Sequence, residues 1–61
     1  MTGKEVIKIL TDHGWELLRI NGSHHRMGHG GLRTTVPVHG KQDLGRGLLA
    51  AIEKQTKVKL K

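Results

Sequence analysis

The stretch that decides the fold is Trp15-Glu16-Leu17-Leu18-Arg19-Ile20-Asn21-Gly22-Ser23-His24-His25-Arg26-Met27. Large apolar and long side chains fill residues 15–20, and Asn21-Gly22 follows, a dipeptide that favours positive φ and hairpin turns. The reading is a strand over 15–20, a tight turn, and a second strand over 23–27. Trp15 and Leu17 belong to one alternation and Leu18 and Ile20 to the other, so the buried face of the first strand stays open at this point. Gly28-His29-Gly30-Gly31 reads as a glycine-rich loop. A third strand over 32–38 places Thr34, Val36 and Val38 on one face and Arg33, Thr35 and Pro37 on the other. Pro37 lacks an N–H and suits a strand end or edge.

Helices frame the strands. Thr2 and Glu5 have the spacing of a capping box, in which hydroxyl and carboxylate each satisfy a free N–H at a helix start. A helix from near Gly3 to about His13 follows, with Val6, Ile7 and Leu10 as its apolar stripe, Lys4, Lys8 and Asp12 on the polar side, and Gly14 as its stop. After a connection over 40–47 with three glycines, Leu48, Ala51, Ile52 and Gln55 give one apolar stripe of a second helix over 45–56. The end, 57–61, alternates lysine with apolar residues and is expected to be a poorly ordered basic tail. The order α-β-β-β-α has no repeat or linker. It predicts one α+β domain over 1–61, a three-stranded antiparallel sheet with both helices on one face and the other face open.

Composition bounds what such a domain can do. With 61 residues there is room for one small core and none for a separate cofactor domain. The chain has no Cys, which excludes a disulfide framework and thiolate zinc sites. With Trp15 the only aromatic residue, the core must come mainly from Leu, Ile and Val, and Trp15 itself is expected inside rather than serving as a base-stacking platform. The net charge of +6 points to an anionic partner, nucleic acid first. Four lysines and no acid fall in 54–61, so residues 1–53 balance at only +2. Neither an apolar run of membrane length nor an apolar N-terminal stretch occurs, and a cytoplasmic protein without membrane contact is the default.

Five histidines are the feature that most needs a reason. Of His24 and His25, neighbours on a strand, only one can face the open side. Arg26, two residues beyond His24, shares its face. Spacing alone leaves two readings: polar strand residues without further role, or a proton-transferring imidazole beside an RNA phosphate whose charge a neighbouring cation stabilises. His24, His25, His29 and His39 match no compact metal motif and no H-E-x-x-H occurs, so neither metal nor cofactor is expected. Ser23 beside His24 has no acid to orient the pair, and adjacent strand residues diverge, which removes a serine nucleophile.

As a set, these residues resemble the HicA family, the small toxins of bacterial and archaeal toxin–antitoxin pairs. The likeness runs through the helix ending in Leu10, the Gly-aromatic step His13-Gly14-Trp15, the signature Gly22-Ser23-His24, the strand end Thr35-Val36-Pro37-Val38-His39-Gly40, and the helix over 48–55. The resemblance implies a fold similar to double-stranded-RNA-binding domains and an mRNA-cleaving ribonuclease that stops translation. It implies His24 as the catalytic histidine. Metal-free action on single-stranded RNA is expected, with Gly22 and Ser23 as the supporting turn, Gly22 for its backbone conformation. The resemblance further implies a HicB antitoxin that covers the active face. The chain alone is expected to be a monomer, since it shows no spare apolar stripe large enough for an interface of its own. Lys4, Lys8, Arg26, Arg33 and Lys41 are the candidate RNA contacts. Two features depart from the family: Gly45-Arg46-Gly47 precedes Leu48, where a small polar residue is usual, and the alternating lysine tail replaces a glycine-containing helix end. A non-catalytic RNA-binding module with the same fold is the competing expectation, and an inactive descendant that only binds its antitoxin is a third.

Overall fold

The capping box closes as its spacing predicts. Thr2 Oγ1 accepts from the Glu5 N–H at 3.2 Å, and Glu5 Oε1 accepts from the Thr2 N–H at 2.8 Å. The bond from the Thr2 backbone N–H, and after it the Thr2 hydroxyl beside the carboxyl, hold Glu5 below its ordinary pKa. Helix α1, Gly3–Asp12, starts there. Gly3 is buried against the next layer, and a methyl in its place would run into the carbonyl oxygen of Pro37. Val6 and Leu10 point inward from the same helix.

In this computed structural model, which describes residues 1–60, three strands follow: β1 Glu16–Asn21, β2 His24–His29 and β3 Leu32–Pro37. They lie in the order β1-β2-β3, each pair antiparallel. Asn21 faces His24 across a two-residue turn, in which Gly22 adopts φ +61°, a conformation that a Cβ would strain. His29 faces Leu32 across a second such turn at Gly30-Gly31. Gly28 and His29, expected in the loop, therefore belong to β2. Composition suggested a loop, but both residues find partners on β3, and the lack of a side chain on Gly28 makes room for Leu18 and Arg33.

The conflict between the two alternations of β1 is resolved by a bulge between Leu17 and Arg19. Leu17 pairs with Met27 and Ile20 with His25, two residues of one β2 face, so the extra residue brings both alternations into register. Leu17, Leu18 and Ile20 all remain exposed on this edge strand.

The core consists of Val6, Leu10, Trp15, Met27, Val36, Ile52, Val58 and Leu60. Trp15 is 3% exposed, on the inside as composition required. Helix α1 packs on β3 and β1, whereas α2, Arg46–Thr56, packs on β3. The stripe expected on α2 divides: Ile52 is buried, while Leu48, Ala51 and Gln55 are exposed, and Thr56, outside that stripe, is buried with Ile52.

The segment 57–60, expected to be loose, packs instead. Lys57 ends α2 in the left-handed region at φ 60°, and Val58 and Leu60 return to the core with 8% and 2% exposure. The Leu60 N–H donates to Glu53 Oε2 at 2.8 Å. The reason is volume. With neither Phe nor Tyr to fill it, the core draws on Val58 and Leu60, which the alternation turns inward while Lys57 and Lys59 stay out. Lys61 lies outside the described residues.

Candidate functional site

Directly opposed residues of an antiparallel pair share a face. Across β2 and β3, His24 opposes Pro37, Arg26 opposes Thr35 and Gly28 opposes Arg33. His24, Arg26, Arg33, Thr35 and Pro37 thus form one surface, turned away from buried Met27, Thr34 and Val36. Leu48, Ala51 and Gln55 of α2 stand beside it and complete a groove of about 550 Å³. Among the described residues no acidic side chain lines this groove.

The two arginines are held differently. Arg26 is half-buried, and its Nη1 donates to Thr35 Oγ1 at 3.0 Å. Arg33 Nη1 donates to the carbonyls of Gly30 at 2.9 Å and Leu32 at 2.7 Å, tying the side chain to the second hairpin. A guanidinium has five N–H donors, so both keep capacity for a bound anion. His24 is exposed at the mouth of the first hairpin. That hairpin is pinned by the Val38 N–H, which donates to the Ser23 carbonyl at 2.8 Å.

The remaining histidines point elsewhere. His25 opposes buried Val36, and its Nδ1 lies 3.2 Å from the Ser23 carbonyl. His13 and His29 contact backbone carbonyls of Ile9 and Gly14, and the His29 ring sits 5.7 Å from that of Trp15. Among the described residues, no three His, Asp or Glu side chains converge as a metal site would require.

Of the basic residues expected to meet RNA, the groove unites Arg26 and Arg33 with His24. Lys4 and Lys8 stand exposed on α1, Lys8 paired with Asp12 at 3.5 Å, and Lys41 is exposed in the connection before α2; none of the three lines the groove. Sequence reasoning did not name Thr35, Pro37, Leu48, Ala51 or Gln55 as part of the site. The alternation of β3 already put Thr35 and Pro37 beside Arg33, but no local signal shows that α2 runs alongside β3.

Among the described residues, the cleft gathers one histidine and two arginines with no acid, on a small basic α+β scaffold, a lining whose charge complements an anion. Residues 3–58 match the HicA toxin of bacterial toxin–antitoxin systems, and the chain belongs to that family. Comparisons with curated proteins and with solved structures gave no match. Membership gives the chain a toxin role and implies an antitoxin as its partner. Among the described residues, no helix is long and apolar enough to cross a membrane.

Proposed function

We propose that this chain is a metal-independent endoribonuclease that cuts mRNA in the cytoplasm and so arrests translation, with His24 as its proton-transfer residue. The observation that carries this reading is the meeting of exposed His24 with Arg26 and Arg33 in one groove free of acids. An RNA phosphate between the guanidiniums brings the adjacent ribose 2′-hydroxyl to the imidazole. The 2′ oxygen attacks phosphorus, the bond to the 5′ oxygen breaks, and the products are a 2′,3′-cyclic phosphate and a 5′-hydroxyl. One proton leaves the 2′-hydroxyl and one reaches the departing oxygen; His24 handles at least one of them. The arginines stabilise the charge that builds on the phosphoryl oxygens. With a single histidine in the groove, water or RNA supplies the second transfer, and turnover is slow.

The antitoxin in this reading is a HicB protein whose acidic surface covers the groove, complementing the +6 charge. The test is cleavage of single-stranded RNA in excess EDTA by the wild type, His24→Ala and His25→Ala. Loss of cutting in His24→Ala alone, with retained RNA binding and cyclic-phosphate ends in the wild type, is the expected result. RNA that binds all three proteins equally and stays intact sinks the enzyme and favours the non-catalytic binding module.

A further inference from the structure

Helix α2 contributes a wall of mixed character to the groove. Leu48, Ala51 and Gln55 follow one another at helical spacing, and of their side chains only Gln55 carries polar atoms. With Pro37 they make an apolar slot, while His24, Arg26 and Arg33 all stand on the strands. A slot apolar along one side and cationic along the other matches a nucleotide, base on the helix and phosphate on the sheet. In a duplex both faces of a base are covered by its stacked neighbours, so only an unpaired nucleotide fits this arrangement.

Gln55 sits at the end of that slot with its amide already oriented. Thr34 is 1% exposed, and its hydroxyl donates to Gln55 Oε1 at 2.7 Å. A buried hydroxyl needs an acceptor for its proton. That requirement turns the amide oxygen toward Thr34 and leaves the two Nε2 donors for the groove. The familiar pairing of glutamine with adenine uses the amide oxygen to accept from N6 as well as the nitrogen to donate to N7. Here one of the oxygen's two lone pairs is taken by Thr34, which is buried and turned away from the groove, so the oxygen is oriented away from a base edge.

We infer that the groove holds one unpaired nucleotide with its base against Leu48 and Ala51, and that Gln55, donating from Nε2 to a carbonyl oxygen of the base, favours uracil over adenine. This inference rests on the ribonuclease reading for its biological meaning, and its test is independent of cleavage. Short 2′-O-methyl oligouridylate and oligoadenylate, which lack the attacking hydroxyl, are titrated by fluorescence anisotropy against the wild type, Gln55→Glu and Gln55→Met. The carboxylate of Gln55→Glu still accepts from Thr34 but offers no donor. Its added charge weakens binding of both strands alike and cancels in their ratio. Gln55→Met removes the donors without adding charge, and is titrated below its unfolding transition because it leaves the Thr34 hydroxyl unpaired.

The uridylate-to-adenylate affinity ratio is expected to fall roughly two- to tenfold in Gln55→Met, the worth of one hydrogen bond, and further in Gln55→Glu, which accepts from the adenine amino group. Self-stacking of adenylate affects all three proteins equally and leaves that comparison intact. A ratio that is the same in all three proteins overturns the assignment of Gln55. Failure of the ribonuclease reading shows separately, as RNA left intact in the EDTA assay.

Discussion

The Arg26 guanidinium donates across the sheet to Thr35 Oγ1 at 3.0 Å, between residues that oppose each other on β2 and β3. One of its five N–H groups is spent on orientation, and the flat fork is fixed over the groove floor.

That geometry makes Thr35→Val a clean probe. The substitution keeps the shape of the side chain and removes the acceptor, so Arg26 loses its anchor while the packing stays. RNA cleavage is expected to fall by roughly two- to tenfold, as one hydrogen bond is lost. The urea midpoint of unfolding should move little. Arg26→Lys is expected to behave worse than Thr35→Val, because an ammonium cannot reproduce the fork. Equal cleavage by the wild type and Thr35→Val would show that the anchoring bond has no part in RNA binding.

Gly28 tests Arg33 in a similar way. A Cβ on Gly28 would come within 2.8 Å of Leu18 Cδ1 and 3.0 Å of Arg33 Nη1, both far ends of flexible side chains. Gly28→Ala should therefore fold, yet displace the Arg33 guanidinium and reduce RNA affinity. Gly31→Ala meets nothing within 4 Å and serves as the control. Binding isotherms for the two variants should differ; superimposable curves would separate Arg33 from the site.

The packed segment 57–60 gives a stability prediction. Leu60→Ala removes a side chain that is 2% exposed and should cost about 2–5 kcal/mol, enough to unfold a domain of this size near its working temperature. Lys59→Ala, one position away and exposed, should stay within about 0.5 kcal/mol. Thermal melts of the two variants decide this, and equal melting temperatures would mean that Leu60 does not hold the core.

The capping box carries a pH signature. The Glu5 carboxyl has a lowered pKa in the folded chain, owing to the bond from the Thr2 backbone and then to that with its hydroxyl. Its stabilising contribution is complete above the ordinary glutamate range and is lost as pH falls through the lowered folded value. Glu5→Gln can accept the same bond without titrating. Relative to that variant, the wild type should lose stability on going from neutral pH into acid, measured by denaturant unfolding at each pH. Thr2→Ala should cost about 1 kcal/mol at neutral pH.

Much of this molecule was legible from local chemistry. The Thr2–Glu5 spacing marked the start of α1, and Asn21-Gly22 with the alternation of β3 gave the sheet and put His24 with Arg26 and Arg33 with Thr35. Where local and tertiary information diverged, the sequence misled. Gly28 and His29 look like loop residues until a paired strand supplies their hydrogen bonds. The β1 bulge hides behind two competing alternations, and the lysine-rich end conceals two core residues. The groove wall on α2 was illegible for a related reason. Leu48, Ala51, Ile52 and Gln55 form one stripe by periodicity, and only the docking of α2 beside β3 separates Ile52 from the other three.

The burial of Leu60 has a temporal meaning. Synthesis runs from Val6 toward Leu60, so a ribosome-bound chain lacks part of its hydrophobic interior until residue 60 has emerged. Helix α2, whose Glu53 accepts from the Leu60 N–H, gains that anchor at the same moment. A nascent chain therefore completes its interior only once Val58 and Leu60 can fold back onto the cluster that holds Val6, Leu10 and Ile52.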